Sequence, residues 1–152
     1  MIKRCSWPGS DPLYITYHDL EWGAPVWQDQ FLFECICLEG QQAGLSWITV
    51  LKKRDHYRKC FKDFEVARVA RMRDSTIEKL LLDRGLIRNR LKLYSIRNNA
   101  IACQDVQKEF GSFIENIFVL LSKFKFLRGS IFDPFGYSAE RKMERSLIHL
   151  YE

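Results

Sequence analysis

YHDLEWGAPVWQDQFLFECICLEGQQAGLSWITVLKK, residues 17–53, decides how this chain is read. It places Tyr17, Trp22 and Trp47, the carboxylate Glu39 and the pair Gln41-Gln42 within one short stretch. A flat, cationic ligand needs such a set: aromatic faces to stack on and one acid to read a polar edge. Around Glu39 the pattern is helical. Phe31, Phe33-Glu34-Cys35 and Leu38 recur at helical spacing over 29–38, and Gly40 reads as the stop. A second helix is expected from Leu45-Ser46 to Phe61, apolar at Trp47, Ile48, Leu51 and Tyr57. Its polar face carries Lys52, Lys53, Arg54, Arg58 and Lys59.

Outward from this stretch the helical reading continues. The segment up to Val26 holds Pro8, Gly9, Pro12, Gly23 and Pro25, and is expected to be loop with short helical turns. A short helix follows over 65–71. Ser75 and Glu78 fit a capping box at the start of another, which reaches Asp83. Beyond Gly85, helices are expected over 88–103 and 106–121. Strand-like alternation appears nowhere at length, so the predicted fold is all-α.

At 152 residues the chain has the length of a single domain, 1–152, and its 47% hydrophobic and 28% charged residues fit a globular protein. No apolar run reaches the ~20 residues of a membrane helix. The opening MIKRCSWPGSDP has no secretory core, so a cytoplasmic, non-membrane protein is expected, and a monomer. The net charge of +5 suits a polyanion partner without requiring one. Among five cysteines, Cys35, Cys37 and Cys60 read as small buried hydrophobes, and a disulfide framework is not expected. Phosphate-loop, Rossmann and nucleophile-elbow motifs are absent, which removes support for nucleotide-triphosphate, redox and acyl-transfer chemistry.

Several residues keep two readings. Residues 77–92, IEKLLLDRGLIRNRLK, look like two helices joined by a three- or four-residue turn at Arg84-Gly85-Leu86. Unpaired amides there, with Arg84, Arg88, Arg90 and Lys92, suit a phosphate clamp; an ordinary helical corner with a solvated basic face suits them equally. Glu39 is a surface acid, a buried ion-pair partner or a ligand-reading carboxylate. Its place at a helix C-terminus, where the dipole disfavours an acid, supports a functional reason. Trp22 and Trp47 are core or pocket. Cys5 and His18 are zinc-type ligands but only half of a structural site. His56 and His149 look ordinary, and Asp105 is a carboxylate candidate or a helix N-cap.

Together these motifs resemble the DNA-3-methyladenine glycosylase I family, base-excision repair enzymes of the helix-hairpin-helix superfamily. The resemblance rests on RCSW at 4–7, DPLYITYHDLEWG at 11–23, LFECICLEGQQAGLSWITVLKKR at 32–54 and GLIRNRLKL at 85–93. It covers residues 4–117. It implies a helix-hairpin-helix glycosylase-like helical domain that grips double-stranded DNA through Arg84, Gly85, Leu86, Arg88 and Arg90. An aromatic pocket would accept an extruded alkylated adenine, with free 3-methyladenine as the product. Glu39 and Tyr17 would contact the base edge, Trp47 would stack on its face, Trp22 would line the pocket, and Glu39 would be the catalytic carboxylate. No lysine stands out as a Schiff-base nucleophile, so the implied enzyme is monofunctional.

Cys5 and His18 match two of the family's four zinc ligands. The stretch 118–152 diverges: Lys123 to Glu152 holds no cysteine, and His149 is its only histidine. The family's zinc site therefore cannot be completed from the matching positions, and His149 is the one substitute third ligand. The competing reading is a catalytically impaired paralogue that binds DNA or the free methylated base without excising it.

Overall fold

The computed structural model describes residues 4–113 and 115. Every regular element among them is helical, as the sequence pattern predicts. They fall into two compact units, one ending at Val26 and one running onward from Trp27. The calls on 118–152 and on His149 lie outside the described residues.

The N-terminal unit holds α1, Pro12–Leu20, where short turns in a loop were expected. The reason lies in the Asp11-Pro12 pair. The Asp11 carboxylate accepts from the amides of Leu13 and Tyr14 at 3.0 and 3.4 Å, and Pro12 occupies a first-turn position that needs no amide donor.

The second unit begins with α2, Asp29–Gln42, which runs one turn beyond the expected stop. Gly40 takes up helical geometry. Gly44, at φ +74°, ends the helix instead, because a left-handed residue just past the last turn is the conformation glycine adopts without steric cost. The expected single helix over 45–61 is two, α3, Trp47–Leu51, and α4, Arg54–Cys60, broken at Lys52-Lys53. A left-handed turn follows in which Lys62, Asp63 and Phe64 all have positive φ. It turns both Phe61 and Phe64 into the core, where their rings stack at 6.3 Å. Gln30 Nε2 steadies the turn by donating to the Asp63 carbonyl at 2.7 Å.

Helix α5, Val66–Ala70, lies where expected; α6, Asp74–Leu80, stops three residues short of the expected Asp83, and the capping box does not form. Glu78 turns instead to residues beyond Gly85, accepting from Tyr94 Oη at 2.6 Å and Arg90 Nη2 at 2.8 Å. The far end of the second helix expected beyond Gly85, past residue 115, lies outside the described residues; its start is continuous with the first in α7, Arg90–Phe110. Helix α7 starts two residues later than predicted and is capped by Asn89, whose side chain accepts from the Lys92 amide at 3.1 Å. Asp105 lies inside it, exposed and paired with Lys108, so it is not an N-cap. Leu93, Ile96, Ala100 and Cys103 form the buried stripe of α7 and pack with Phe33, Cys37, Leu38, Val50, Phe61, Val69 and Ile77. Asp29 then ties the start of α2 to the end of α7. Its carboxylate accepts from Gln107 Nε2, Ser112 Oγ and the Phe113 amide at 2.7, 3.2 and 3.0 Å.

Candidate functional site

In the N-terminal unit the aromatic residues form a cluster. Tyr17 is buried on α1, and Trp22 follows the helix, half-buried. Trp7 meets Tyr14, Tyr17, His18 and Trp22 at ring separations between 4.8 and 6.4 Å. Trp7 is thus the centre of the cluster, a role the sequence signalled only through its place in RCSW. The His18 imidazole lies parallel to Trp22 at 5.5 Å, so one face of that indole is covered.

Cys5 and His18 are brought together: the Cys5 amide approaches His18 Nε2 at 3.4 Å. On the other side His18 Nδ1 meets Asp19 at 2.9 Å, the carboxylate partner that commonly fixes a histidine's tautomer at a metal. Arg4 holds Asp19 in turn, with two guanidinium nitrogens on the carboxylate. The two hydrogen-bonding neighbours hold the Asp19 carboxyl down at about 2. The donor chemistry fits zinc, but two ligands are half of a tetrahedral set.

In the second unit, the last turns of α2 separate two kinds of polar residue. Glu39 is exposed. Gln41, two positions on, is wholly buried and structural rather than part of a pocket. Its Oε1 accepts from Tyr57 Oη at 3.1 Å and its Nε2 donates to the Lys92 carbonyl at 2.9 Å. Trp47 opens α3 half-buried, packed against the core.

The link from α6 to α7 spans residues 81–89, longer than the expected tight turn. Three amides around the expected turn are paired within the unit. Gly85 donates to Asp83 Oδ1 at 2.7 Å, Leu86 to the Asp83 carbonyl at 3.2 Å and Ile87 to Tyr57 Oη at 3.0 Å. Lys53 Nζ clasps the link from outside, donating to the Arg84 and Gly85 carbonyls. Burial pushes the Tyr57 hydroxyl up to about 12, against the lowering effect of the Ile87 amide. It therefore stays protonated and joins α2 to the link.

The basic residues divide accordingly. Lys92 is drawn away from any clamp, because its ammonium donates to the Gln41 and Ala43 carbonyls at the C-terminus of α2, at 2.9 and 2.6 Å. Arg90 pairs with Glu78, and Leu86 is core. Arg84 and Arg88 are exposed and make no ion pair among the described residues.

A chain built around this stretch can be set beside known proteins. The family model for methyladenine glycosylase matches residues 7–128, most of the chain. The chain belongs to the methyladenine glycosylase family. It is 51% identical over 114 residues to DNA-3-methyladenine glycosylase 1 of Escherichia coli (strain K12), covering 75% of this chain and 61% of that protein. It is 50% identical over 117 residues to the DNA-3-methyladenine glycosylase of Haemophilus influenzae (strain ATCC 51907 / DSM 11121 / KW20 / Rd), covering 75% and 63%. It thus spans about three fifths of the length of these curated relatives. It also resembles a 3-methyladenine DNA glycosylase I solved as a tyrosine-to-phenylalanine variant in complex with 3-methyladenine. That likeness has a TM-score of 0.74 and 32% identity, and covers 91% of this chain and 72% of the other. The methyladenine glycosylase fold, predicted from LEGQQAGLSW and its flanks, is therefore the fold of this chain.

Proposed function

We propose that this chain hydrolyses the N-glycosidic bond of 3-methyladenine in alkylated double-stranded DNA, as a monofunctional glycosylase. The observation that carries the reading is the family membership, together with an exposed Glu39 on a helix whose neighbouring Gln41 is locked into the core. Gln41 and Lys92 fix the end of α2, so Glu39 is presented from a rigid support.

Methylation at N3 makes adenine cationic, and the charge does two things. It attracts the base to a carboxylate and to electron-rich rings, for which Glu39, Tyr17, Trp22 and Trp47 are the candidates. It also weakens the glycosidic bond, because the departing base takes the bonding electron pair and becomes neutral. Extruding the base costs a few kcal/mol of unstacking, offset by stacking and hydrogen bonds in the pocket. Glu39 would then act by recognising the cation and stabilising positive charge developing on the sugar. Water bonds to C1′, the C1′–N9 bond breaks, and the water gives up a proton to solvent. Asp105, exposed on α7 and paired with Lys108, is not the base that activates that water.

The DNA-binding part of the proposal assigns Arg84 and Arg88 to phosphates, with Gly85 between them and the start of α7 just beyond. A monomer acting in the cytoplasm fits this reading; no described helix is long and apolar enough to cross a membrane. The test is release of 3-methyladenine from alkylated duplex DNA by the 152-residue chain, beside Glu39→Gln. Release that falls at least about a hundredfold in the variant supports the assignment, a loss on the scale of one transition-state electrostatic contact. Tight binding of alkylated DNA without release by the parent would replace it with the non-excising reading.

A further inference from the structure

His56 and Cys60, read from sequence as an ordinary histidine and a buried apolar cysteine, stand four residues apart on α4 and so share a helix face. Opposite them the link between α6 and α7 presents Asp83. His56 Nε2 lies 2.8 Å from Asp83 Oδ2, and Cys60 Sγ lies 3.9 Å from the same oxygen. All three ligand atoms fall within 4.8 Å of one another, and all three residues are half-buried. Metal–nitrogen and metal–oxygen bonds of ~2.0 Å and a metal–sulfur bond of ~2.3 Å set tetrahedral ligand atoms about 3.3–3.5 Å apart. The observed separations straddle that spacing.

The surroundings hold the three donors in place. The Gly85 amide donates to Asp83 Oδ1, which orients the carboxylate and leaves Oδ2 facing the other two groups. Gly85 itself lets the imidazole lie against the backbone, since a Cβ there would come within 2.4 Å of His56 Cδ2. Lys53, on the carbonyls of Arg84 and Gly85, fixes the link from the next turn of chain. Nitrogen, sulfur and carboxylate oxygen form a mixed donor set suited to zinc.

We propose that His56 Nε2, Cys60 Sγ and Asp83 Oδ2 form a metal site, one that takes Zn²⁺ with a water in the fourth position. Binding replaces the His56–Asp83 hydrogen bond. The imidazole moves its proton to Nδ1, the Cys60 thiol releases one proton to solvent, and the thiolate and carboxylate together balance the dication. Burial and the neighbouring Asp83 favour the protonated thiol in the metal-free chain, so the metal must displace that proton. The bound ion cross-links α4 to the link that carries Arg84 and Arg88. This site is independent of Cys5 and His18, and of whether the chain excises a base.

The probe is Co²⁺, added to the reduced, metal-stripped 152-residue chain carrying Cys5→Ser, which removes the N-terminal thiol. One equivalent should produce a thiolate-to-cobalt charge-transfer band with visible bands of tetrahedral intensity. His56→Asn or Asp83→Asn in that background should weaken binding at least tenfold, and Cys60→Ala should abolish the charge-transfer band. A folded Cys5→Ser chain that gives no band, or a band that survives Cys60→Ala, overturns the site. Should Cys60→Ala fail to fold, alkylation of Cys60 in the Cys5→Ser chain decides. Zn²⁺ should slow it at least tenfold, and an unchanged rate sinks the proposal.

Discussion

Glu34 shows how a single residue in the α2 stripe is given meaning by a partner the chain supplies 24 positions later. It is buried among apolar neighbours, yet Arg58 reaches it with Nε at 3.0 Å and Nη2 at 2.7 Å. The sequence put Arg58 on a solvated basic face, and the structure makes it the counter-ion of a buried acid. Removing the arginine leaves a carboxylate with little solvent and no cation, which is more costly than losing the pair as a unit. Arg58→Ala should therefore destabilise the chain by about 2–3 kcal/mol, near the lower end for a buried pair because the Arg58 side chain is 31% exposed. Arg58→Ala combined with Glu34→Met should recover a large part of that loss. Urea unfolding of the single and double variants measures both, and a double variant no more stable than the single would reject a buried-charge origin.

At the scale of elements, Tyr57 holds the link between α6 and α7 to α2. Its hydroxyl donates to Gln41 Oε1 and accepts from the Ile87 amide. Tyr57→Phe removes both while keeping the ring stacked on Phe61 at 6.1 Å. It leaves a buried amide oxygen and a backbone donor unmatched, which should cost about 1–3 kcal/mol in urea unfolding. Amide exchange should accelerate at Ile87 more than at Leu93, inside α7; equal acceleration at both sites would show global rather than local loosening. These bonds also mark the limit of what sequence reading reaches. The helices were legible because burial imposes apolar spacing, as at Phe33, Cys37 and Leu38 or Leu93, Ile96 and Ala100. Their ends were not, since Gly40 and Gly44 look alike in a string and only φ separates them. The turn at Lys62–Phe64 carries no glycine to announce its left-handed backbone. Ser75 and Glu78 matched a local cap, but a long-range pairing with Arg90 and Tyr94 took the carboxylate. Of the candidate site, LEGQQAGLSW drew attention to Glu39 and Trp47. It gave no means of telling that Gln41 serves the core, because its partners Tyr57 and Lys92 lie far along the chain.

For the molecule as a whole, the net charge of +5 describes a surplus, and the structure decides where that surplus is available. Lys53 and Lys92 are spent on backbone carbonyls, Arg58 on Glu34, Arg90 on Glu78 and Arg97 on Asp74. Each of these cations is already committed to the fold, so replacing one would disturb structure before it disturbed binding. Arg84 and Arg88 are different. They are exposed, without ion pairs among the described residues, and borne on a link anchored by Tyr57 and Lys53. If they contact phosphates as proposed, each neutralised phosphate releases counterions and steepens the salt dependence of DNA binding by about 0.9 in log–log slope. Arg84→Ala with Arg88→Ala should then lower that slope by about 2. It should weaken binding to alkylated and unmodified duplex alike, since phosphate contacts position without reading bases. Unfolding free energies should stay within about 0.5 kcal/mol of the parent, as for ordinary surface substitutions. Fluorescence anisotropy across a salt series measures the slope. A slope unchanged in the double variant would place the DNA contact elsewhere, while a fall confined to alkylated DNA would place these arginines in base recognition.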